Sequence, residues 1–215
     1  MDMVESAHRL VDKQVLRGVA LTNFDTTRLI QIADRVPVVS NQVSFSIVDT
    51  RPLDAMLPAC RQRNIVVVAY GVLLGGLLSE RFLNVAQPTT AAQLNTASLK
   101  KYMGFVLQWG GWGLFQTLLG VLNGIGKKHN VSLANVAVRW VLQVCAFLRT
   151  RHGLTRSPKH DGVVALIGAR LGLQVHVEEN ARVFALTLDE ADMQAIADVQ
   201  RLARRLRGDC GDEYR

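Results

Sequence analysis

Cysteine is scarce and never arranged to ligate or cross-link. Cys60, Cys145 and Cys210 are the three present, and none stands in a C-x-x-C spacing. An odd, unpatterned set argues against a disulfide framework and a zinc site, so three free thiols are expected. The opening MDMVESAHRLVDK lacks a basic leader followed by an apolar stretch; no secretory signal is read there, and a cytoplasmic protein is expected. A continuous basic face is missing too, despite the net charge of +7. The excess sits in two clusters, Arg149, Arg151, Arg156 and Lys159 against Asp161, and Arg201, Arg204, Arg205 and Arg207, with the remainder neutral. Nucleic-acid binding usually requires a basic surface running through the fold, so no nucleic acid is expected as a partner. Finally, the stretch Tyr102 to Gly126 carries no charge and is flanked by lysines, the outline of a membrane helix. Seven glycines together with Gln108, Gln116, Thr117 and Asn123 dilute it. Trp112, Leu114, Phe115, Leu118, Leu119 and Leu122 instead fit a helix with one apolar face, and no membrane partner is expected.

What is present is the composition of a soluble domain with a real core: 215 residues, 49% hydrophobic and 20% charged. Four short β-rich runs recur, each followed by a helical pattern. Val15–Leu21 leads to TTRLIQIADR, Val36–Val43 to RPLDAMLPACRQR, Ile65–Tyr70 through a long segment to helices near 112–128 and 132–143, and Val163–Ile167 to VHVEENARVF. Alternation of this kind, with nearly uninterrupted apolar strands, predicts an α/β fold with a parallel sheet covered by helices. Asp25 and Ser132 are placed to cap helices, and Thr187 with Glu190 predicts a capping box ahead of a closing helix.

The strand ends are the informative places. The apolar run at 37–49, PVVSNQVSFSIVD, stops at Ser40, Asn41 and Gln42. A buried amide without a partner costs about 1–3 kcal/mol, so these side chains should hold either backbone or a ligand. The first strand ends at Thr22 and Asn23, the third at Tyr70, and the fourth runs into Gly168–Arg170. In parallel α/β folds all these ends open on one side, where ligands bind. The same residues also read as helix caps and half-buried core; their joint placement favours a ligand.

The blocks GVALTNFD, VVSNQVSFSIVD, VVVAYGVLLGGLLSERF and VEENARVFALTLDEADMQAI resemble consecutive segments of the aldo-keto reductase family, in the family's order. The resemblance covers most of residues 15–200 and matches the second half of the family's TIM (β/α)8 barrel, strands five to eight. It implies a partial barrel of about four parallel βα units and an NADP(H) cofactor. Thr22, Asn23 and Gln42 match residues that hydrogen-bond the nicotinamide carboxamide, and Tyr70 matches the tyrosine that stacks on its ring. The loop from Gly71 to Leu74, with Leu73 in it, would lie along the pyrophosphate, although Gly71 replaces the family's usual serine. Gly168, Arg170, Glu179 and Asn180 match the adenosine 2′-phosphate end. There His176 stands near the usual arginine, and Arg170 either supplies the charge or is a solvated loop residue.

The family's aspartate, tyrosine, lysine and histidine tetrad belongs to strands one to four, which no block here matches. No catalytic residue is therefore assigned, because general acid catalysis needs a donor within hydrogen-bond reach of the carbonyl. CAFLRTRHGLTRSPKHDG, between Cys145 and Gly162, reads as an insertion. The expected organisation is an oxidoreductase domain over 1–200 with an inserted basic loop at 145–162, and a basic tail at 201–215. Two functions follow. One is the cofactor-binding half of a reductase acting on aldehydes or ketones, in a truncated form whose carbonyl substrate belongs to the full-length parent. The other is a non-enzymatic nucleotide-binding or interaction half-barrel. Cutting a barrel in half leaves open edges, so self-association through them is expected.

Overall fold

The computed structural model describes residues 3–151, 162–168 and 176–212. Its centre is one four-stranded sheet in sequential order, β1 (Val19–Thr22), β2 (Val38–Ser44), β3 (Val66–Tyr70) and β4 (Val163–Ala165), every neighbouring pair parallel. Helices α2 (Thr26–Ala33) and α3 (Met56–Gln62) connect the first three strands. The long crossover to β4 contains α4 (Ala97–Trp109), α5 (Gly111–His129) and α6 (Leu133–Arg151). After β4 come the short α7 (Val177–Ala181) and the closing α8 (Glu190–Leu202). This is the α/β parallel-sheet architecture that the alternation of apolar runs predicts, and it is consistent with the partial barrel that the family resemblance implies.

The two faces of the sheet differ sharply. Leu21, Asn41, Val43, Val67 and Ala69 point to the helices and are buried, with Phe45 and Trp140 meeting edge to face beyond the strand end. On the other face Thr22, Gln42, Val68 and Val164 form a row across all four strands. Thr22 and Val164 are exposed and Gln42 and Val68 only half-buried. No helix covers this face among the described residues.

Several boundaries depart from the sequence pattern. The first strand starts at Val19, not Val15, because an N-terminal helix, α1 (Met3–Asp12), precedes it and its closing turn takes up Val15 and Leu16. The amides of Val15 and Leu16 donate to the Leu10 carbonyl and so are spent on closing that helix. The capping box lies two residues later than Thr187/Glu190. The Asp189 side chain accepts from Asp192 N and the Asp192 side chain from Asp189 N, aspartate being a better N-cap than threonine. Asp25 and Ser132 cap as expected, accepting from Arg28 N at 2.7 Å and Asn135 N at 3.2 Å. The uncharged stretch Tyr102–Gly126 is divided between α4 and α5, which meet at 97°; no single described helix is long and apolar enough to cross a membrane. Of the segment expected to be an insertion, α6 continues to Arg151, and residues 152–161 lie outside the described residues.

All three cysteines are buried and none is in a disulfide, and burial pushes the Cys60 thiol up to about 12 against a smaller opposing pull from Arg63. A thiol in that state is inert as a nucleophile.

Lys128, at the end of α5, is tied to the α8 capping box, reaching Asp189 at 2.5 Å and Asp192 at 2.8 Å, with His129 Nε2 2.7 Å from Asp192. The hydrogen bond from Lys128 holds the Asp189 carboxyl below its ordinary value, and the bond to Asp189 raises Lys128 above its own. A depressed carboxylate adds stability above its unfolded pKa and loses it as pH falls through the folded one. The thermal midpoint of the protein is therefore expected to drop on acidification below about pH 4. Lys128→Ala should shrink that drop; an unchanged acid limb in the variant would show that the pair contributes nothing.

Candidate functional site

The carboxyl ends of the strands converge on one rim, and a hydrogen bond spans it. Tyr70, the last residue of β3, donates its hydroxyl to Asn23 Oδ1 at 2.8 Å. Asn23 follows β1 in the left-handed region, with φ of 59°, and its N–H donates to the Gln42 carbonyl at 2.9 Å. A left-handed residue is commonly Gly, Asn or Asp, and here the conformation turns the Asn23 side chain back over β2 towards Tyr70. Thr22 and Gln42 are register partners immediately below, so Thr22, Asn23, Gln42 and Tyr70 come together as one polar patch.

The neighbouring amide does not join them. Asn41 is fully buried on the helix side, where its Nδ2 donates to the Phe24 carbonyl at 2.9 Å and contacts Met56 Sδ at 3.5 Å, while Oδ1 has no partner. Strand periodicity explains the split: Asn41 and Gln42 point to opposite faces. The sequence reading, which sent both to the rim, is corrected for Asn41.

Beside the patch lies a cleft of about 880 Å³. Of the expected residues, Tyr70, Gly71, Leu73, Gly168 and Asn180 line it. Thr22, Asn23 and Gln42 reach it through Tyr70 and do not line it themselves. Glu179 sits on α7 with its carboxylate 2.8 Å from His176 Nδ1 and its carbonyl accepting from Asn135 Nδ2 at 2.9 Å; His176 itself faces the cleft. Arg170 lies outside the described residues.

Three contributors were not legible beforehand. The start of α4, with Asn95, Thr96 and Ser98, borders the cleft, and Thr96 caps the helix by accepting from Leu99 N at 3.1 Å. An N-terminus so placed presents unspent N–H groups and partial positive charge. Arg81 lines the same space. Lys101 puts its ammonium 5.3 Å from the centres of both the Tyr70 and Tyr102 rings, a cation–π contact that tethers α4 to the rim. The Thr-Ala-Ser cap was the available signal for α4, hidden in a long segment without a strand after it.

Tyr102 also accounts for Gly71. At φ of 69°, a Cβ on residue 71 would lie 2.3 Å from the Tyr102 hydroxyl, so that hydroxyl occupies the space a side chain would need. The loop continues with positive φ at Leu74, Gly75 and Gly76; a Cβ at Gly75 would lie 2.9 Å from Ser98 Cβ, so the loop packs against the start of α4, while Gly76 has open space beside it. Gly71→Ala is expected to destabilise the protein by roughly 1–3 kcal/mol from strain alone. Combining it with Tyr102→Leu should recover the part due to the clash, as read by denaturant titration; equal losses in the single and double variants would exclude the clash.

The donor set, an aromatic ring held by its hydroxyl with amide and hydroxyl side chains next to it and a helix N-terminus bordering the cleft, is one that a flat ligand with hydrogen-bonding groups and negative charge would fit.

Comparison with known proteins bears on the same span. A sequence profile of the aldo/keto reductase family matches residues 2–201. A flagellar radial spoke protein of Chlamydomonas reinhardtii is 34% identical over 134 residues, covering 61% of this chain and 25% of that protein. Among solved structures, a glycerol dehydrogenase from Gluconobacter oxydans aligns with a TM-score of 0.65 at 19% identity, over 91% of this chain and 52% of the other. An aldo-keto reductase from Klebsiella pneumoniae, solved in complex with NADPH, aligns with a TM-score of 0.55 at 18% identity, over 95% and 54%. The chain thus spans about half the length of these solved structures and a quarter of the radial spoke protein.

Proposed function

Since this chain belongs to the aldo/keto reductase family, we propose that its cleft binds NADP(H) and that it supplies the cofactor-holding strands, five to eight, of an oxidoreductase reducing aldehydes or ketones. The observation that carries the reading is the Tyr70–Asn23 hydrogen bond across the rim, with Thr22 and Gln42 in register beneath it. Tyr70 is the ring proposed to stack on the nicotinamide, with the Lys101 ammonium 5.3 Å from its centre, and the bond to Asn23 limits its rotation. Asn23, Thr22 and Gln42 offer donors and acceptors of the kind a carboxamide uses. The loop from Gly71, with Leu73, is proposed to lie along the pyrophosphate, beside the start of α4. Asn180 and Glu179 on α7 suit the adenosine end, and Arg170 is proposed for the 2′-phosphate because a guanidinium pairs well with phosphate. Bound there, the cofactor supplies a hydride to a carbonyl carbon; the residues named here bind and orient it, and none is assigned the proton.

A second reading has its own observation. The radial spoke protein bears the name of a structural component. On that analogy the half-barrel serves as a nucleotide-binding or interaction module without turnover.

NADPH fluorescence titration tests the first reading. Gln42→Ala is expected to weaken binding about five-fold, the equivalent of one hydrogen bond at about 1 kcal/mol, and Tyr70→Ala to weaken it more by removing the stack. Equal affinity in the wild type and both variants would remove the cofactor assignment. NADPH binding without consumption in the presence of common aldehydes is the expected behaviour of the 215-residue chain.

A further inference from the structure

The basic tail after α8 is stitched into the fold at the residue the cofactor reading depends on. Arg204 N donates to the Trp109 carbonyl at 2.7 Å, and Arg205 pairs with Asp54 at 2.5 Å. Further along, Asp209 Oδ2 accepts from Thr26 N at 2.8 Å, at the start of α2, while Arg51 Nη1 donates to the Asp209 carbonyl at 3.1 Å. Arg51 is itself fixed by the buried Asp49, through Nε–Oδ1 at 2.8 Å and Nη2–Oδ2 at 2.7 Å. The loop is cinched by Asp209 N donating to Asp212 Oδ2 at 2.7 Å, and by positive φ at Gly208 and Gly211. Cys210 is 1% exposed beneath it.

The consequence falls on Asn23. A Cβ at Gly211 would lie 2.1 Å from the Asn23 carbonyl oxygen and 2.8 Å from its carbonyl carbon. Gly211 therefore lies directly against the main chain of Asn23, the residue whose side chain accepts the Tyr70 hydroxyl. Asn23 is a left-handed, non-glycine residue, an arrangement that persists when its surroundings hold it. On one side Gln42 holds its N–H, on the other the tail backs its carbonyl, and its side chain is left aimed at Tyr70.

We propose that the C-terminal tail, residues 204–212, is a positioning element of the cofactor site: docked, it sets Asn23 to receive the Tyr70 hydroxyl and the cofactor's carboxamide. The proposal rests on the NADP(H) reading above. Gly211 and Asp209 are positioning residues; neither touches the cofactor. By linkage, whatever factor docking adds to cofactor affinity, the cofactor adds to docking.

Two measurements on the full chain test this. In the first, Cys210 is alkylated and followed peptide by peptide, Cys60 serving as the internal reference for global opening. Saturating NADPH is expected to slow Cys210 labelling several-fold in the wild type beyond any change at Cys60. Gly211→Ala should speed labelling and lower NADPH affinity by roughly ten-fold, and Asp209→Asn, which keeps the shape but weakens the anchor, should do both to a lesser degree. In the second, the Asn23 side-chain amide resonance is compared among wild type and both variants without cofactor; it is expected to shift in each. NADPH that leaves Cys210 labelling unchanged, or Gly211→Ala that binds NADPH like the wild type, overturns the proposal while the cofactor reading stands. If the wild type binds no NADPH, the cofactor reading falls, and the positioning claim is decided by the resonance: unmoved in both variants, it is overturned as well.

Discussion

Purified alone, the 215-residue chain is expected to self-associate, either as a dimer with two open sheet faces apposed or as larger aggregates. On the uncovered face Val164 is 51% exposed and Leu166 46%, with Val66 and Val68 only half-buried beside them. Fully burying such a side chain stabilises by roughly 1.5–3 kcal/mol, so covering four of them matters against a domain stability of about 5–15 kcal/mol. Among the described residues the outer edges of β1 and β4 have no neighbouring strand, and parallel strands are ordinarily found closed or covered. Both edges are shorter than the apolar runs predicted, four and three residues, which limits edge pairing and makes the face the stronger surface. Two four-stranded sheets supply the strand count of a closed eight-stranded barrel. Size-exclusion chromatography with light scattering decides the matter. Val68→Lys, which places a charge in the middle of the face, should reduce association markedly. A monodisperse 23.7 kDa species with cooperative unfolding in the wild type would show that the face is tolerated in water.

Local signals in the sequence carried the frame of this fold because they are local. Val66–Val68 and Val163–Val164 are β-branched runs that mark strands by propensity alone, and Asp25 and Ser132 announce helix starts through bonds three residues away. Legibility failed where the deciding contact is remote. Asn41 and Gln42 look alike in sequence, and only the packing of Met56 and Phe24 against one sheet face separates a buried strut from a rim residue. Gly71 is marked in the sequence only by standing where the family usually has serine; its partner Tyr102 comes from a helix about thirty residues on, in an uncharged stretch. The tail read only as basic. Its meaning lies in Asp209 reaching Thr26 N across 183 residues, a contact that no composition or period foreshadows.

The largest single-residue effect is expected at Arg51. Arg51 is 7% exposed and Asp49 0%, and the guanidinium meets the carboxylate with two parallel hydrogen bonds at 2.8 and 2.7 Å. Asp49 also organises its own turn: its N–H donates to Ser46 Oγ at 3.0 Å, and its Oδ1 accepts from Arg51 N at 3.4 Å. From this anchor Arg51 extends to the tail carbonyl of Asp209 and lies 5.7 Å from the centre of the Phe105 ring. Removing one member of such a pair strands the other charge where water cannot reach it, which costs about 3–5 kcal/mol. That is a large part of the stability of any domain, so Arg51→Ala should lower the denaturation midpoint steeply and release the tail. Replacing both residues, Asp49→Leu with Arg51→Met, removes the stranded charge and is expected to recover much of the loss. The recovery should be incomplete, because the bond from Arg51 to the Asp209 carbonyl is not restored. A double-mutant cycle by denaturant titration measures each step. Additive losses, with the double variant no more stable than Arg51→Ala, would mean that the buried charge is not what the arginine is there to balance.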